Sequence, residues 1–241
     1  MELRQLITDH ERQTFAKCLS KARAMHGLGF RDTSRSQLSR GHLAMGGLYA
    51  LFEGEDDPVE SMVAGFRLHD LGTLPQSHPK PDMSHLPPEA VLEGGELWSL
   101  SAGAGRLAAV AAGAVAGLLQ AKAVIIHAIV KPMDLTGFYR QLHFVDACEP
   151  VLWPYAETLD GVRLWVQPMI LEGTGLEQWA RDGFNLLFHT ADQRCVVRSA
   201  MKAIPRSKTE IISNQSEVAA PVHLVPPANT QKEDATRAPL S

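Results

Sequence analysis

The turn Ala102-Gly103-Ala104-Gly105 joins an apolar run ending at Leu100 to a long alanine-rich segment that begins at Arg106. No side chain in it exceeds a methyl group, and a helix starting there leaves its first backbone N–H groups without partners inside the helix. Such a start is a ready-made anion site, because the open donors and the aligned peptide dipoles both favour negative charge. A plain tight turn before a buried helix accounts for the glycines as well. The surrounding stretch, Glu96 to Phe144, reads as a strand, the small-residue turn, a long apolar helix, a second strand and a short helix closing on aromatic residues. That order is a βαβα unit, whose two strands should run parallel through a right-handed crossover.

Composition narrows the functional classes. A chain of 241 residues with 45% hydrophobic content can bury one medium core. The net charge of −4 gives no lysine and arginine stripe for neutralising phosphates, so no nucleic-acid partner is expected. Cys18, Cys148 and Cys195 are odd in number and widely spaced, which suits reduced thiols better than a disulfide framework. The opening MELRQLITDHER has no apolar signal region, and a cytoplasmic location is expected. Leu107 to Val130 is the one segment with the look of a membrane span, but Gln120, Lys122 and His127 interrupt it, and no stable membrane insertion is expected.

The remaining elements follow from periodicity and breakers. Met1 to Ile7 is a short strand candidate, and Thr8-Asp9-His10-Glu11 carries a capping-box pattern before a helix. Phe15, Cys18, Leu19, Ala22 and Met25 share one face of that helix, which should pack on a sheet, and Gly27 stops it. Arg31 to Arg40 reads equally as a loop or a short helix. Gly46 to Glu53 and Ser61 to Leu68 flank the acidic turn from Gly54 to Pro58 as an antiparallel hairpin. Leu71 to Pro88 is a proline-rich loop of the kind that often covers a site.

The strand Glu96 to Leu100 enters the glycine turn, and the helix Arg106 to Gln120 carries Gly113 and Gly117, expected to allow close approach to the sheet. Ala123 to Val130 is a buried strand by its β-branched content, and Leu135 to Gln141 a short helix. Pro150 to Glu157 and Val162 to Leu171 flank Asp160-Gly161 as a second hairpin. A helix near Leu176 to Leu187 follows, with a weaker one over Ala191 to Ala203. From Pro205 onward the composition is too poor in apolar residues to fold. The expected organisation is one domain over residues 1–204 and a disordered tail over 205–241.

This order of elements resembles the GNAT acyltransferase superfamily. Gly103-Ala104-Gly105-Arg106 looks like the end of that family's pyrophosphate loop, at the strand-to-helix junction where the family has it. Phe138-Tyr139-Arg140-Gln141-Leu142-His143-Phe144 is similar to the family's tyrosine signature, and its separation from Gly105 is close to the usual one. Leu100 stands where an arginine or glutamine is usual, and His143 where the signature has glycine. The resemblance implies an α/β fold with a mixed, centrally splayed sheet flanked by helices, here with extra C-terminal helices. It also implies acyl transfer from acetyl-CoA or a longer acyl-CoA to an amine of a small molecule or protein.

Gly65-Phe66-Arg67-Leu68 and Glu96-Leu97-Trp98-Ser99-Leu100 look in part like the autoinducer synthases and N-acyl amino acid synthases. That branch implies an acyl-carrier protein as donor, which offers no ADP and so tolerates Leu100 better. A catalytically inactive GNAT-like binding module is the alternative from another class.

On the resemblance, Glu96 is the candidate general base, directly or through a water. Tyr139, with an ordinary pKa of about 10, is the candidate donor to a leaving thiolate of pKa about 8.5. Leu100, Ser101, Ala102, Gly103, Ala104, Gly105 and Arg106 supply backbone donors for phosphates and for the thioester oxyanion. Arg67 is the candidate for an acyl-donor phosphate or an acceptor carboxylate. The bland alternatives are a solvent-facing Glu96, a Tyr139 packed under the sheet and a surface Arg67. His127 and His143 read as core or surface residues, and His78 and His85 lack further ligands at useful spacing, so no metal is expected.

Overall fold

The computed structural model describes residues 1–25, 27, 30–32, 47–53, 59–71, 81–158, 160–189 and 196–197. The expected tail over 205–241 lies outside the described residues, as do the acidic turn Gly54–Pro58 and most of the stretch from Arg31 to Arg40.

Strand β1 (Glu2–Leu6) is followed by helix α1 (Asp9–Met25). The capping box forms as expected: the Glu11 amide donates to Thr8 Oγ1 at 3.2 Å, and the Thr8 amide donates back to Glu11 Oε2 at 2.7 Å. Phe15, Leu19 and Ala22 are buried, whereas Met25 is 58% exposed and so does not share their packed face as expected. Gly27, at φ +67°, ends the helix with its amide on the Ala24 carbonyl at 3.1 Å.

The short strand β2 (Phe30–Asp32) is followed by β3 (Gly47–Phe52) and β4 (Met62–Asp70), which form the expected antiparallel hairpin. Next come β5 (Val91–Ser99), α2 (Ala104–Leu118), β6 (Ala123–Lys131) and the five-residue α3 (Thr136–Arg140). The chain continues through β7 (Val145–Asp146), the hairpin of β8 (Val151–Thr158) and β9 (Arg163–Glu172), and α4 (Gly173–His189). Within the weaker helix expected over Ala191 to Ala203, the described Val196–Val197 form instead a strand, β10, parallel to Glu2 and Leu3. Two valines suit a strand edge better than a helix interior.

The sheet order is β10-β1-β3-β4-β5-β6-β9-β8-β2, with β7 beside β9. Its central pair, β5 and β6, is parallel, and the flanking pairs β4–β5 and β6–β9 are antiparallel. β5 begins five residues earlier than expected, because Gly94 and Gly95 read as breakers but serve as spacers. A Cβ on Gly94 would stand 3.1 Å from Ile126 Cγ2, and one on Gly95 would stand 3.6 Å from the Arg67 guanidinium.

One face of the sheet packs against α2 and α4. Ala108, Ala111, Ala112 and Val115 meet Leu68, Leu92, Val124, Ile126 and Trp179 there in one cluster. Gly113 and Gly117 of α2 face α4, not the sheet as expected. A Cβ on Gly113 would run into the Trp179 carbonyl, and one on Gly183 would run into the α2 backbone at Val110 and Ala114. Trp179 Nε1 also donates to the Ala109 carbonyl at 3.1 Å. The opposite face carries two separate apolar clusters. Phe15, Leu19, Phe52, Met62 and Trp98 pack under α1, while Met83, Val91, Ala123 and Ile125 pack under the segment before β5.

Two stability outcomes follow. Thr8→Ala should lower the urea midpoint by an amount worth about 1 kcal/mol. Burial alone would raise the Glu11 carboxyl pKa, but hydrogen bonds from Thr8 and Ile7 outweigh it and hold the pKa below its ordinary value. This contribution is therefore present above the unfolded value of about 4.3 and fades as pH falls through the lower folded value. The Thr8→Ala loss should shrink on acidification. Gly113→Ala, which in an exposed helix would stabilise, should here cost about 1–3 kcal/mol by the same measurement.

Candidate active site

Parallel pairing of β5 with β6 runs from Val91–Ala123 to Gly94–Ile126 and stops there. Beyond that point β5 stays with β4, and β6 stays with β9. The two strands splay, leaving the inner backbone edges of Gly95–Ser99 and His127–Lys131 without each other as partners. At the same place β5 takes an extra residue: Gly65 faces Trp98 and Arg67 faces Gly95, so that Phe66 opposes both Glu96 and Leu97. This is a β-bulge, and it puts Glu96 at φ +54°, a left-handed conformation that non-glycine residues adopt at a cost of about 1–3 kcal/mol.

A parallel pair that opens at a bulge, followed directly by a helix start and closed by an aromatic turn, decides the architecture. The fold is GNAT-like. No family model matches the chain, and no curated protein matches it. Among solved structures it is similar to TofI in an apo form, at 16% identity and a TM-score of 0.49 over 73% of this chain and 92% of that one. It is similar to FeeM, an N-acyl amino acid synthase from uncultured soil microbes, at 14% identity and a TM-score of 0.47 over 74% and 98%. It is also similar to yncA, a putative acetyltransferase from Salmonella typhimurium solved with acetyl-CoA, at 10% identity and a TM-score of 0.45 over 70% and 93%.

Glu96 is not a solvent-facing carboxylate. Arg23, from the last turn of α1, donates from Nη2 to Glu96 Oε2 at 2.8 Å, and Arg67 Nη2 stands 4.0 Å from Oε1. Arg67 itself is 6% exposed, far from the surface placement usual for arginine, and its Nε is buried without a hydrogen-bond acceptor. A buried guanidinium with an unused donor is poised for a ligand oxygen. Arg23 was not legible as a site residue, since its partner is 73 positions away in sequence.

The turn is built as a donor cluster, though a smaller one than Leu100 to Arg106. The Leu100 amide donates to the Val63 carbonyl at 2.8 Å, that of Ala104 to Ser101 at 3.3 Å, and that of Arg106 to Gly103 at 3.1 Å. The amides of Ser101, Ala102, Gly103 and Gly105 make no backbone hydrogen bond of this kind. Gly103 is the N-cap at φ +79° with no side-chain cap, and Ser101 to Gly103 are exposed. The Leu100 side chain packs toward the cluster under α1, away from the donors. Arg106 is exposed.

Tyr139 is held among Phe138 and Phe144, with ring centroids 5.1 and 5.9 Å away and near-perpendicular planes. Its carbonyl accepts from the amides of Leu142 and Phe144 at 2.9 and 3.2 Å, closing the turn after α3. His143, standing where the resembled signature has glycine, takes the left-handed conformation at φ +69°, so the turn keeps the shape a glycine would give it. Burial pushes the Tyr139 hydroxyl up to about 12. The structure thus brings Glu96, Arg67 and Arg23 together on the α1 face of β4 and β5, and sets Tyr139 with the α2 cluster, on the chain that follows β6.

A second polar group, absent from the sequence reading apart from His127, shares the α1 face. Glu93 is 2% exposed; its Oε2 is 3.7 Å from His69 Nε2 and its Oε1 is 3.4 Å from His127 Nδ1. The signal available was the alternation Arg67, His69 on β4 and Glu93 on β5 within apolar runs. Among the described residues no group of three or more His, Cys, Asp or Glu is arranged to hold a metal, and no helix is long and apolar enough to cross a membrane.

Tyr139 and Tyr49 are both pushed by burial to about 12. Their folded pKa exceeds the unfolded value of about 10, so the stability linked to them is full below about pH 10 and is lost as pH rises through about 12. Spectrophotometric titration should show a tyrosinate step near pH 12 that loses amplitude in Tyr139→Phe.

Proposed function

We propose that this protein is an acyltransferase that moves an acetyl or longer acyl group from a CoA thioester to an amine. The observation that carries the reading is the opening between β5 and β6, whose free β5 edge leads into the open amides at the start of α2. A pantetheine arm can pair with that edge as an added strand would, with its phosphates at Ser101, Ala102, Gly103 and Gly105. Ala104, Leu100 and Arg106 then shape the loop without offering their amides. The thioester carbonyl lies against the bulge, where donors already fixed in place stabilise an oxyanion.

Glu96 acts as base through Oε1, the oxygen not bonded to Arg23, and takes the proton that the attacking nitrogen sheds from the tetrahedral intermediate. Arg67 binds an oxygen of the donor or acceptor. Tyr139 donates a hydrogen bond to the leaving sulfur. With the hydroxyl near 12 and a thiol near about 8.5, full proton transfer would be uphill by about 5 kcal/mol, so stabilising the thiolate is the part Tyr139 can play.

One observation favours a carrier-protein donor as second reading: with Leu100 turned toward α1, the turn meets a pyrophosphate through backbone alone. An N-acyl amino acid or autoinducer synthase-like reaction belongs to that reading.

Thiol release should be assayed with acetyl-CoA, long-chain acyl-CoA and acyl-carrier protein, each with pooled amines. Release from the CoA thioesters is expected, and release from the carrier protein alone would select the second reading. No release from any donor by folded protein would leave a binding module. Tyr139→Phe should lower kcat roughly 10²-fold with the donor KM unchanged; unaltered turnover would remove Tyr139 from the reaction.

A further inference from the structure

A helix of five residues cannot hold its own direction, because nucleating helical turns costs more than so few hydrogen bonds return. α3 (Thr136–Arg140) is such a helix, and it carries Tyr139. Its start is fixed by the chain before it. The Leu135 amide donates to the Ile129 carbonyl of β6 at 2.8 Å, and Asp134 Oδ1 accepts from the Thr136 amide at 2.8 Å and from Thr136 Oγ1 at 2.7 Å. Its end is fixed by a clip. Arg140 donates from Nη1 to Thr136 Oγ1 at 3.2 Å and from Nη2 to Asp146 Oδ2 at 2.7 Å. Asp146 belongs to β7, where it faces Met169 of β9, and the next amide, Ala147, donates to the Pro168 carbonyl at 2.9 Å. The guanidinium therefore ties the end of α3 to the sheet.

The turn that the clip spans is strained. His143 sits at φ +69°, in the left-handed region that disfavours a residue with a Cβ, and its amide bonds back to the Arg140 carbonyl at 3.1 Å. A glycine would keep this shape at no steric cost, whereas a histidine needs it imposed. The buried side chains of Leu142 and Phe144 hold the middle of the turn, and the Arg140–Asp146 ion pair joins its two ends. With 52% and 41% of the two side chains exposed, that pair contributes little to global stability. Its effect is local, and it falls on the residue next to Tyr139.

We propose that Arg140 is a positioning residue, which through Asp146 holds the His143 turn closed and so fixes the direction of Tyr139 at the opening. Tyr139 remains the group that meets the leaving sulfur, and Arg140 touches neither donor nor acceptor. With the clip made, α3 keeps one direction and the Tyr139 hydroxyl one position. Without it the short helix samples directions that carry the hydroxyl away from the sulfur, and the rate falls by the share of time so spent. The inference rests on the part that the acyl-transfer reading gives to Tyr139.

The test is steady-state thiol release by wild type, Asp146→Asn and Arg140→Gln, with a thermal midpoint and a tyrosinate titration of each. Both variants should lose roughly fivefold in kcat, with the donor KM and the midpoint unchanged. Adding His143→Gly to Asp146→Asn should recover most of that loss, measured against His143→Gly alone, because glycine keeps the turn without the clip. In a Tyr139→Phe background Asp146→Asn should cost nothing further. The Tyr139 titration step, set by burial at about 12, should move toward about 10 in Asp146→Asn as water reaches the hydroxyl. Undiminished kcat, a loss of the same size in the Tyr139→Phe background, or a loss that tracks the midpoint would overturn the assignment. If wild type releases no thiol from any donor, the transfer reading falls, and the titration alone decides whether the clip holds Tyr139: an unmoved step removes it.

Discussion

Two strands that pair for four residues and then separate must each satisfy their backbone elsewhere, and the rest of this molecule is arranged around that requirement. β5 keeps its hydrogen bonds to β4 on one side, with a bulge at Glu96 and Leu97 that increases the local twist. β6 keeps its bonds to β9, with a register shift of its own beyond Ile129. The edges that face each other across the opening carry donors and acceptors that an ordinary sheet would have consumed. The crossover helix α2 begins just past the end of β5, so its open amides stand at the entrance to the same opening. Close packing of α2 on α4 through Gly113 and Gly183 fixes where that entrance lies.

The charged side chains obey the same constraint. On the α1 face, the cluster under α1 and the cluster under the segment before β5 do not meet. Along β5 the interval between Val91 and Trp98 holds Glu93, Gly95 and Glu96 on that face, beside Arg67 and His69 from β4 and His127 from β6. Burying a carboxylate or a guanidinium alone costs several kcal/mol, and pairing recovers much of it. Here the polar groups pair: Arg23 and Arg67 flank Glu96 in one group, and His69 and His127 flank Glu93 in the other. The row is maintained against the easier alternative of continuous apolar packing, and it lies where the strands separate. A binding or reacting role explains that coincidence better than stability does.

Much of the architecture was legible because it depends on local signals. The capping box at Thr8 and Glu11 and the Asp160-Gly161 turn of the second hairpin act over a few residues, and each formed where pattern placed it. The early start of β5 was hidden because Gly94 and Gly95 are breakers by propensity; they are tolerated where Ile126 and Arg67 need the space. The partner of Gly113 was misplaced for a related reason: a small residue announces close approach but not which element approaches. Val196 and Val197 depended on an edge offered by β1, nearly the whole chain away. At the site, Glu96, Arg67, Tyr139 and the turn could be named from sequence, but the ion pair to Arg23 and the Glu93 group arise from strand register and helix docking, to which residue spacing is blind.

Leu100 bears on what the opening can select. A charged hydrogen bond to phosphate contributes about 1.5–3 kcal/mol, so replacing an arginine at that position by leucine forgoes roughly 10- to 150-fold in affinity for a pyrophosphate. The helix dipole adds about 0.3–1 kcal/mol at an exposed N-terminus, and the amides of Ser101, Ala102, Gly103 and Gly105 add neutral donors. These terms keep a single phosphate in place but discriminate little between one phosphate and two. Selectivity must then come from what passes through the opening itself. On the proposed reading the β5 edge would pair with the amides of a pantetheine arm, which CoA and a carrier-bound donor have in common, and the polar side chains on the α1 face would meet the acceptor. On that reading the nucleotide end of the donor contributes little, and recognition shifts toward the acyl-pantetheine and the amine, the two parts that would react.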